Sequence, residues 1–402
     1  NGAAAPPLQK LLGMKGYLMS EPMNRRDFLS NSGLLLGGAM LAGSTAGNAA
    51  TVSRDPHDYV VVEGHRDIWE LTDRLRLRVK SQDSPLADFL VPTLIEGGES
   101  VVIMPSGGDS LPQRSYLQPV LEGNMRTLDM LLREIEKTNG KASIIRTKAD
   151  VPAGPNRDKV QFFLDLEGGE GLGTVCGPEP EFLTGYELAL LRQYFRLGVR
   201  GVQLTHNGRN QLADGVEGGR MGGRLSPFGV EVVKEMNRLG MMIGVSHLSV
   251  NGVLNVAEIT KHPIVSTHQN LAQFVSSSPP VEVVPEQVKA IASTGGIVGL
   301  RYMSEEETPY TLLADEVETL AKSIGVEHIG IGWLGEDVTH PETGYVPGFS
   351  PKREFTGHFA EPLRTHWATF IGILAERGFT QQQIGLILGG NYLRIWKQIL
   401  PD

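Results

Sequence analysis

Two short apolar runs, each followed by a histidine, lie close together in residues 241–268, MMIGVSHLSVNGVLNVAEITKHPIVSTH. The first run, Met241 to Ser246, leads into His247, and the second run, Pro263 to Thr267, leads into His268. Apolar runs of this length are typical of strands that are buried on both faces. We therefore interpret the segment as two buried strands, each with a histidine at its carboxyl end.

The same alternation of short apolar runs and longer amphipathic stretches extends from about residue 57 to the C-terminal part of the chain. Six further runs give eight candidate strands in all: Tyr59 to Val62, Ser100 to Met104, Val160 to Leu166, Gly201 to Thr205, Gly296 to Leu300 and His328 to Gly332. Helical patterns lie between them at Leu117 to Glu136, Thr184 to Leu197, Phe228 to Leu239, Pro285 to Ala292 and Leu312 to Ile324.

This order of elements predicts a (β/α)8 TIM-like barrel with insertions and a C-terminal helical tail. An open, doubly wound sheet is the structural alternative. No Gly-x-Gly-x-x-Gly follows the first strand to support that alternative.

The composition fits an ordinary globular protein, with 40% hydrophobic and 21% charged residues. The net charge is −9 and no basic stripe stands out, which argues against a nucleic-acid partner. Cys176 is the one cysteine in the sequence, so neither an internal disulfide nor a thiolate metal cluster can form. A bound metal would have to be held by histidine and carboxylate side chains.

Residues 23–50 resemble a twin-arginine export signal. Arg25-Arg26 precedes a glycine-rich apolar run, Gly33 to Ala42, that is too short for a stable membrane span. We expect the twin-arginine translocase to be a transient partner and the mature protein to be periplasmic or otherwise exported. A chance arginine pair before a buried helix is the alternative.

The domain organisation follows from this interpretation. Residues 1–22 precede Met23 and are interpreted as an extension upstream of the true start. Residues 51–402 are predicted to be a single barrel domain, with no stable membrane span once the signal is removed.

Histidines and carboxylates follow several of the predicted strands. His65 and Asp67 follow the first strand, Glu167 the third and His206 the fourth, in addition to the two histidines after the fifth and sixth. The carboxyl ends of barrel strands form one mouth, so these side chains are expected to converge. Each of these residues, taken alone, could equally be a hydrogen-bonded loop residue and not a metal ligand. Together they are the ligand types that zinc and similar divalent metals prefer.

The chain resembles the membrane dipeptidase (renal dipeptidase) family. The matching stretches run in family order: Glu63 to Asp67, Leu166 to Gly169, Leu197 to Asn207, Phe228 to Ile243, Ser246 to Ser249, Thr267-His268, His328 to Gly332 and Gly389 to Arg394. The run Glu235-Met236-Asn237-Arg238-Leu239-Gly240-Met241-Met242 is the most distinctive.

The resemblance implies two zinc ions, or another divalent metal, and hydrolysis of an amide bond in a small, dipeptide-like substrate. His65 and Asp67 would bind the first metal, His247 and His268 the second, and Glu167 would bridge them. His206 would contact the substrate. The family also suggests a homodimer.

The sequence departs from the family at the residues expected to handle protons and substrate. Leu334 occupies the position of the family's acid/base aspartate, and Asp337, or alternatively Glu336, is the candidate replacement. Residues 269–280 lack the arginine that clamps a dipeptide carboxylate in the family, and Arg301 with the adjacent Tyr302 is the candidate substitute.

Two smaller departures lie at the first strand, where Glu63 replaces an aspartate and Arg66 replaces an asparagine. Arg66 could supply an anion contact, but strand alternation favours a side chain that projects outward, away from His65 and Asp67.

Three functions are compatible with these observations. The first is an exported dipeptidase-type hydrolase, with Glu167 and Asp337 as catalytic residues. The second is a divergent member that tailors a secondary metabolite or a siderophore precursor, which the loss of the aspartate and the arginine favours. The third is a metal-binding protein with little or no peptidase activity, since a fold does not guarantee an activity.

Overall fold

A computed structural model of the protein describes residues 52–66, 84, 86–107, 120–173, 187–219, 221–277, 281–302, 309–334 and 362–402. Residues 52–402 belong to one unit by their internal contacts. The two predicted N-terminal segments, 1–22 and 23–50, lie outside the described residues and stay predictions. Over the described part of the chain, no helix has both the length and the apolar character needed to cross a bilayer.

Parallel strands form the centre of the fold. They are β1 (Val61–Glu63), β2 (Glu99–Gly107), β3 (Ala142–Ile144), β4 (Val160–Glu167), β5 (Gly201–Gln203), β6 (Met242–Gly244), β7 (Ile264–Ser266), β8 (Ile297–Arg301) and β9 (Ile329–Trp333). The sheet order is β1-β2-β4-β5-β6-β7-β8-β9, and β3 pairs beside the first half of β4.

The sheet curls into a nearly closed barrel. The backbone N–H of Gly64, directly after β1, donates a hydrogen bond of 3.0 Å to the carbonyl of Ile331 in β9. The strand order also follows the chain without the reversal that a doubly wound sheet requires. The (β/α)8 prediction is therefore confirmed, and the doubly wound alternative is wrong.

Helices alternate with the strands. They are α1 (Val91–Gly97), α2 (Val120–Glu136), α3 (Ala189–Leu197), α4 (Pro227–Leu239), α5 (Val250–Ile259), α6 (Pro285–Ser293), α7 (Pro309–Ser323), α8 (Leu363–Glu376), α9 (Gln381–Gly385) and α10 (Asn391–Ile399), with a π-helical turn, Leu386–Gly390, between the last two. All five predicted helices are present, and so is the helical tail. The predicted starts Leu117 and Thr184 lie outside the described residues. The sequence patterns missed β3, α1 and α5.

The ends of α4 show how local sequence sets these boundaries. The Ser226 hydroxyl accepts a hydrogen bond of 3.0 Å from the N–H of Gly229, and Pro227 occupies the first helical turn, where no backbone donor is needed. Gly240 ends the helix with a left-handed backbone, φ +73°. The chain is then directed straight into β6.

The barrel interior and the last helix share one apolar cluster. It contains Val62, Val101, Ile103, Phe163, Met242, Val265 and Ile297 from six strands, together with Tyr392 and Trp396 of α10. The rings of Phe163 and Trp396 stack with centroids 4.6 Å apart. A Cβ atom at Gly64 would lie 2.2 Å from the Tyr392 hydroxyl oxygen, so glycine at this position makes room for the tyrosine.

Asn391 fixes α10 against the amino-terminal end of β9. Its side-chain Nδ2 donates hydrogen bonds of 2.8 Å to the carbonyls of Val326 and Ile329, and the residue is fully buried. The helix therefore closes the end of the barrel that lies opposite the strands' carboxyl ends.

Replacement of Asn391 by alanine should lower the free energy of unfolding by about 1–3 kcal/mol, because two buried carbonyls lose their donor. Urea denaturation of the metal-free protein measures this loss. Asn156→Ala is the matched control, since Asn156 is exposed in a turn and its side chain accepts one bond, from the N–H of Asp158. Equal losses in the two variants would contradict this account of how the helix is held.

Candidate metal centre

Glu167 is the last residue of β4 and lies at the barrel mouth. It pairs in register with Gly107 of β2 on one side and Gln203 of β5 on the other. Gly168 then turns the chain with φ +92°, and its N–H donates to the carbonyl of Gln203 at 3.1 Å. The carboxylate is thus held on a rigid strand end with 2% of the residue exposed.

Histidines from three other strand ends converge on this carboxylate. The Nε2 atoms of His247, His268 and His65 lie 3.3, 3.6 and 3.7 Å from Oε1 of Glu167. The Nε2 atoms of His247 and His268 are 2.8 Å apart. The rings of His65 and His268 stack with centroids 3.7 Å apart. The convergence that the barrel rule predicts is therefore present.

The backbone around these histidines is fixed locally. The N–H groups of Gly64 and Arg66, on either side of His65, donate 3.0 Å hydrogen bonds to β9 and β2. His247 has a left-handed backbone, φ +61°. That conformation costs about 1–3 kcal/mol in a non-glycine residue and persists where the surroundings over-determine it.

Two of the histidines have polar neighbours at their outer ring nitrogens. Nδ1 of His247 lies 2.8 Å from the amide oxygen of Asn207, and Nδ1 of His268 lies 2.8 Å from the hydroxyl of Thr267. An amide oxygen only accepts, so this contact suits a hydrogen on Nδ1 of His247, the tautomer whose Nε2 is a metal ligand. Burial, reinforced by His65 and His247, holds the pKa of His268 well below its usual range.

The donor set fits divalent metal ions. His65, Glu167 and His268 form one group, and Glu167, His206 and His247 form a second, each with ligand atoms within 4.8 Å of one another. Neutral imidazoles and a carboxylate are suitable ligands for zinc. Glu167 belongs to both groups, which is the arrangement that a bridging carboxylate requires. His206, predicted only as a substrate contact, also lies within ligand distance here.

Three predicted site residues receive less support from the structure. Asp67 and Asp337 lie outside the described residues, as does the alternative Glu336. Tyr302 is buried, and its ring packs 5.0 Å from Tyr310 and 6.1 Å from His366. These three assignments remain predictions.

Arg301 is half-buried at the carboxyl end of β8. Burial is the main cause of the lowered pKa of His268, and the charge of Arg301 adds to it. Burial also raises the pKa of Glu316 to about 7, and the charge of Arg301 partly opposes that shift. Glu316 accepts hydrogen bonds of 2.6 Å from the N–H of Leu271 and 2.8 Å from the amide of Asn270. Arg301 therefore acts electrostatically on both the histidine cluster and a neighbouring buried carboxylate.

Arg66 corrects one sequence-based expectation. The residue is 5% exposed and does not project into solvent. Its guanidinium donates to both oxygens of Glu63 and lies 3.6 Å from Glu99, which in turn accepts a 3.1 Å hydrogen bond from the indole of Trp367. Alternation along the strand could not show that this face would be covered by Glu99, at the start of β2, and by helix α8.

Four buried polar residues, which we call the polar layer, went unassigned in the sequence analysis: Asp165, Gln203, Ser246 and Thr267. Asp165 precedes Glu167 by two residues on the same strand, so alternation alone could have placed it on the same inward face. Burial raises its pKa to about 7, although the amide of Gln203 donates to it at 3.0 Å and partly opposes the shift.

The sequence model of the membrane dipeptidase family, peptidase family M19, matches residues 54–341. The chain belongs to the membrane dipeptidase family. Dipeptidase verJ of Clonostachys rogersoniana is 32% identical over 285 residues, which are 69% of this chain. The chain spans 66% of that relative's length, slightly less than two thirds.

Solved structures of membrane dipeptidase relatives share the fold. Dipeptidase AC, a metallopeptidase of family M19, superimposes with a TM-score of 0.67 at 18% identity, over 86% of this chain and 100% of that chain. A metallopeptidase from Rhodobacter sphaeroides, solved with a phosphinate mimic of the dipeptide L-Ala-D-Ala, gives a TM-score of 0.65 at 18% identity, over 85% of this chain and 100% of that one.

Leu334, which the resemblance places at the acid/base aspartate of the family, follows β9 and is fully buried within the main apolar cluster. A leucine side chain can neither accept nor donate a proton. Acid/base assistance, typically worth ~10² to 10⁴-fold in rate, must come from another residue if it is supplied at all.

The raised pKa of Asp165 predicts a pH dependence of stability. Its folded-state pKa of about 7 exceeds the ordinary value of 3.8, so the neutral form stabilises the fold in acid and that contribution is lost as pH rises toward 7. Asp165→Asn should lose less stability than the wild type over this range. Urea unfolding of the metal-free protein at several pH values measures the difference.

Asp150→Asn is the matched control with the opposite sign. Hydrogen bonds from the N–H groups of Arg146 and Thr147 hold the pKa of Asp150 below its ordinary value of 3.8. That variant should be less stable than the wild type at neutral pH, and the gap should close in acid. If the stability of Asp165→Asn falls with pH as steeply as that of the wild type, the raised pKa of Asp165 is refuted.

Proposed function

We propose that this chain is a metal-dependent hydrolase that cleaves the amide bond of dipeptides or related small molecules. The observation that carries the proposal is the convergence of three imidazole Nε2 atoms on one buried carboxylate oxygen of Glu167. Family membership supports the same class of reaction. The activity of the named dipeptidase relative is consistent with it.

The proposed ligand set for two zinc ions is His65, Asp67, Glu167, His247 and His268. Bound zinc lowers the pKa of a water toward neutrality and polarises a carbonyl group, which is the chemistry that amide hydrolysis requires. Glu167 is proposed to bridge the two ions, because it belongs to both groups of potential ligands.

The remaining roles fall to residues around the mouth. His206, whose ring centroid lies 4.8 Å from that of His247, is proposed to contact the substrate beside the metals. Arg301 and Tyr302 are proposed to hold an anionic group of the substrate. Asp337, which lies outside the described residues, is proposed to move the proton that Leu334 cannot.

The cellular setting is part of the proposal. The arginine pair and apolar run of residues 23–50 support export through the twin-arginine translocase to the periplasm. That route carries folded proteins, which suits an enzyme that acquires its metals before export. Assembly as a homodimer is proposed from the family resemblance alone.

A second candidate substrate class follows from the departures. Leu334 and the absence of arginine from residues 269–280 remove two groups that suit an ordinary dipeptide. A divergent member could retain the metal site and act on a different small amide, such as a secondary metabolite or siderophore precursor. This candidate would be favoured if the protein hydrolysed such an amide and left dipeptides uncleaved.

The proposed function is tested by metal content and hydrolysis measured together. Protein loaded with zinc should hold about two ions per chain and hydrolyse members of a dipeptide panel. Glu167→Gln should lose both properties, because the shared ligand loses its charge. Glu122→Gln is the control, since that glutamate is exposed on α2 and paired with Arg126. Fewer than about one ion per wild-type chain would rule the hydrolase out.

Arg301 gives a prediction about substrate charge. Arg301→Gln should raise KM about 10–100-fold for substrates with a free carboxylate, because a charge-assisted contact is lost. Substrates with that carboxylate amidated should change much less. Arg133→Gln, an exposed arginine paired with Asp129 on α2, should behave as wild type. Equal effects on charged and amidated substrates would remove Arg301 from the substrate site.

A further inference from the structure

The polar layer lies directly beneath the histidine cluster. Its members come from four successive strand ends, and none of the four has measurable exposure. Buried polar side chains are costly unless their hydrogen bonds are satisfied, so a connected layer at this depth requires a specific arrangement. The hydroxyls of Ser246 and Thr267 form a hydrogen bond of 3.0 Å, and the N–H of Thr267 donates to the hydroxyl of Ser246 at 2.8 Å.

Gln203 connects this layer to the ligands. Its Nε2 lies 3.0 Å from Asp165 and 3.5 Å from Nδ1 of His65. Its Oε1 accepts a hydrogen bond of 3.2 Å from the hydroxyl of Thr267, which lies 2.8 Å from Nδ1 of His268. One amide therefore reaches the outer nitrogen of one ligand histidine directly and that of a second through one hydroxyl.

The barrel is built to accommodate this side chain. A Cβ atom at Gly244, the neighbour of Gln203 in register on β6, would lie 2.5 Å from Cγ of Gln203. The backbone of Gln203 pairs with Glu167 and accepts the N–H of Gly168. The residue thus pairs with the strand end that carries the shared carboxylate, lies beside His65, and reaches His268 through Thr267.

The outer nitrogen of a metal-binding histidine needs a partner that fixes the ring and its tautomer. Asn207 serves His247 and Thr267 serves His268 in this way. For His65 the neighbour is the amide of Gln203, which is itself held by Asp165 and Thr267. An apolar side chain of the same size offers neither a donor nor an acceptor.

We propose that Gln203 is a positioning residue that fixes the ring orientation of His65 and, through Thr267, of His268. The inference rests on the proposed metal site. It goes further by assigning the spacing of two ligand histidines to a residue that would contact neither metal nor substrate.

The test compares zinc affinity in the wild type, Gln203→Leu and Gln203→Met, by competition with a chromophoric chelator. Loss of an outer partner typically weakens metal binding 10–100-fold, and we expect a loss in that range for both variants. The methionine variant keeps a flexible side chain of similar size, so it serves if leucine does not fold. Gln161→Leu is the matched control, because that glutamine lies near the start of β4 and bonds to the carbonyl of Asp150.

A second measurement separates positioning from general destabilisation. In the metal-free proteins, the ring-nitrogen NMR signals of His65 should shift in both Gln203 variants and stay unchanged in Gln161→Leu. Wild-type zinc affinity together with unshifted His65 signals in a folded Gln203 variant would overturn the inference. Failure of the wild type itself to bind zinc would instead overturn the proposed function, and the inference with it.

Discussion

Glu167 is a carboxylate whose residue is 2% exposed, and its charge constrains everything around it. Removing an ionised carboxylate from water costs several kcal/mol unless other charges or hydrogen bonds compensate. Three imidazole Nε2 atoms surround it, and burial disfavours the cationic form of His268. The cluster is therefore rich in electron-pair donors, a situation that a bound divalent cation relieves. Without a bound cation, the rigid strand ends of the barrel keep these electron-pair donors close together.

Much of this arrangement could be predicted from the sequence because the barrel converts chain order into spatial order. Each apolar run became a strand, and residues at the carboxyl ends had to meet at one mouth, as His65, Glu167, His206, His247 and His268 do. β3 was missed because Ala142–Ile144 is too short to stand out as an apolar run. Helix α5 was missed because Val250, Val253 and Val256, with intervening asparagines and a glycine, are weak helix formers.

What could not be predicted depends on contacts between distant segments. Alternation placed Arg66 on the face away from His65, but nothing nearby in sequence showed that Glu99 and Trp367 would enclose it. In the sequence, Gln203 is one polar residue within an apolar run. Its significance appears only when Asp165, His65 and Thr267, on three other strand ends, are seen around its amide. Polar residues that organise a site are harder to predict than ligands, because no fixed spacing identifies them.

The last helix has a consequence for how the chain acquires its structure during synthesis. Tyr392 and Trp396 fill the amino-terminal end of the barrel, yet they leave the ribosome after every strand they pack against. Until then the inward faces of the early strands have no cover at that end. The interior of the barrel can therefore be sealed at that end only after α10 has been synthesised and has docked.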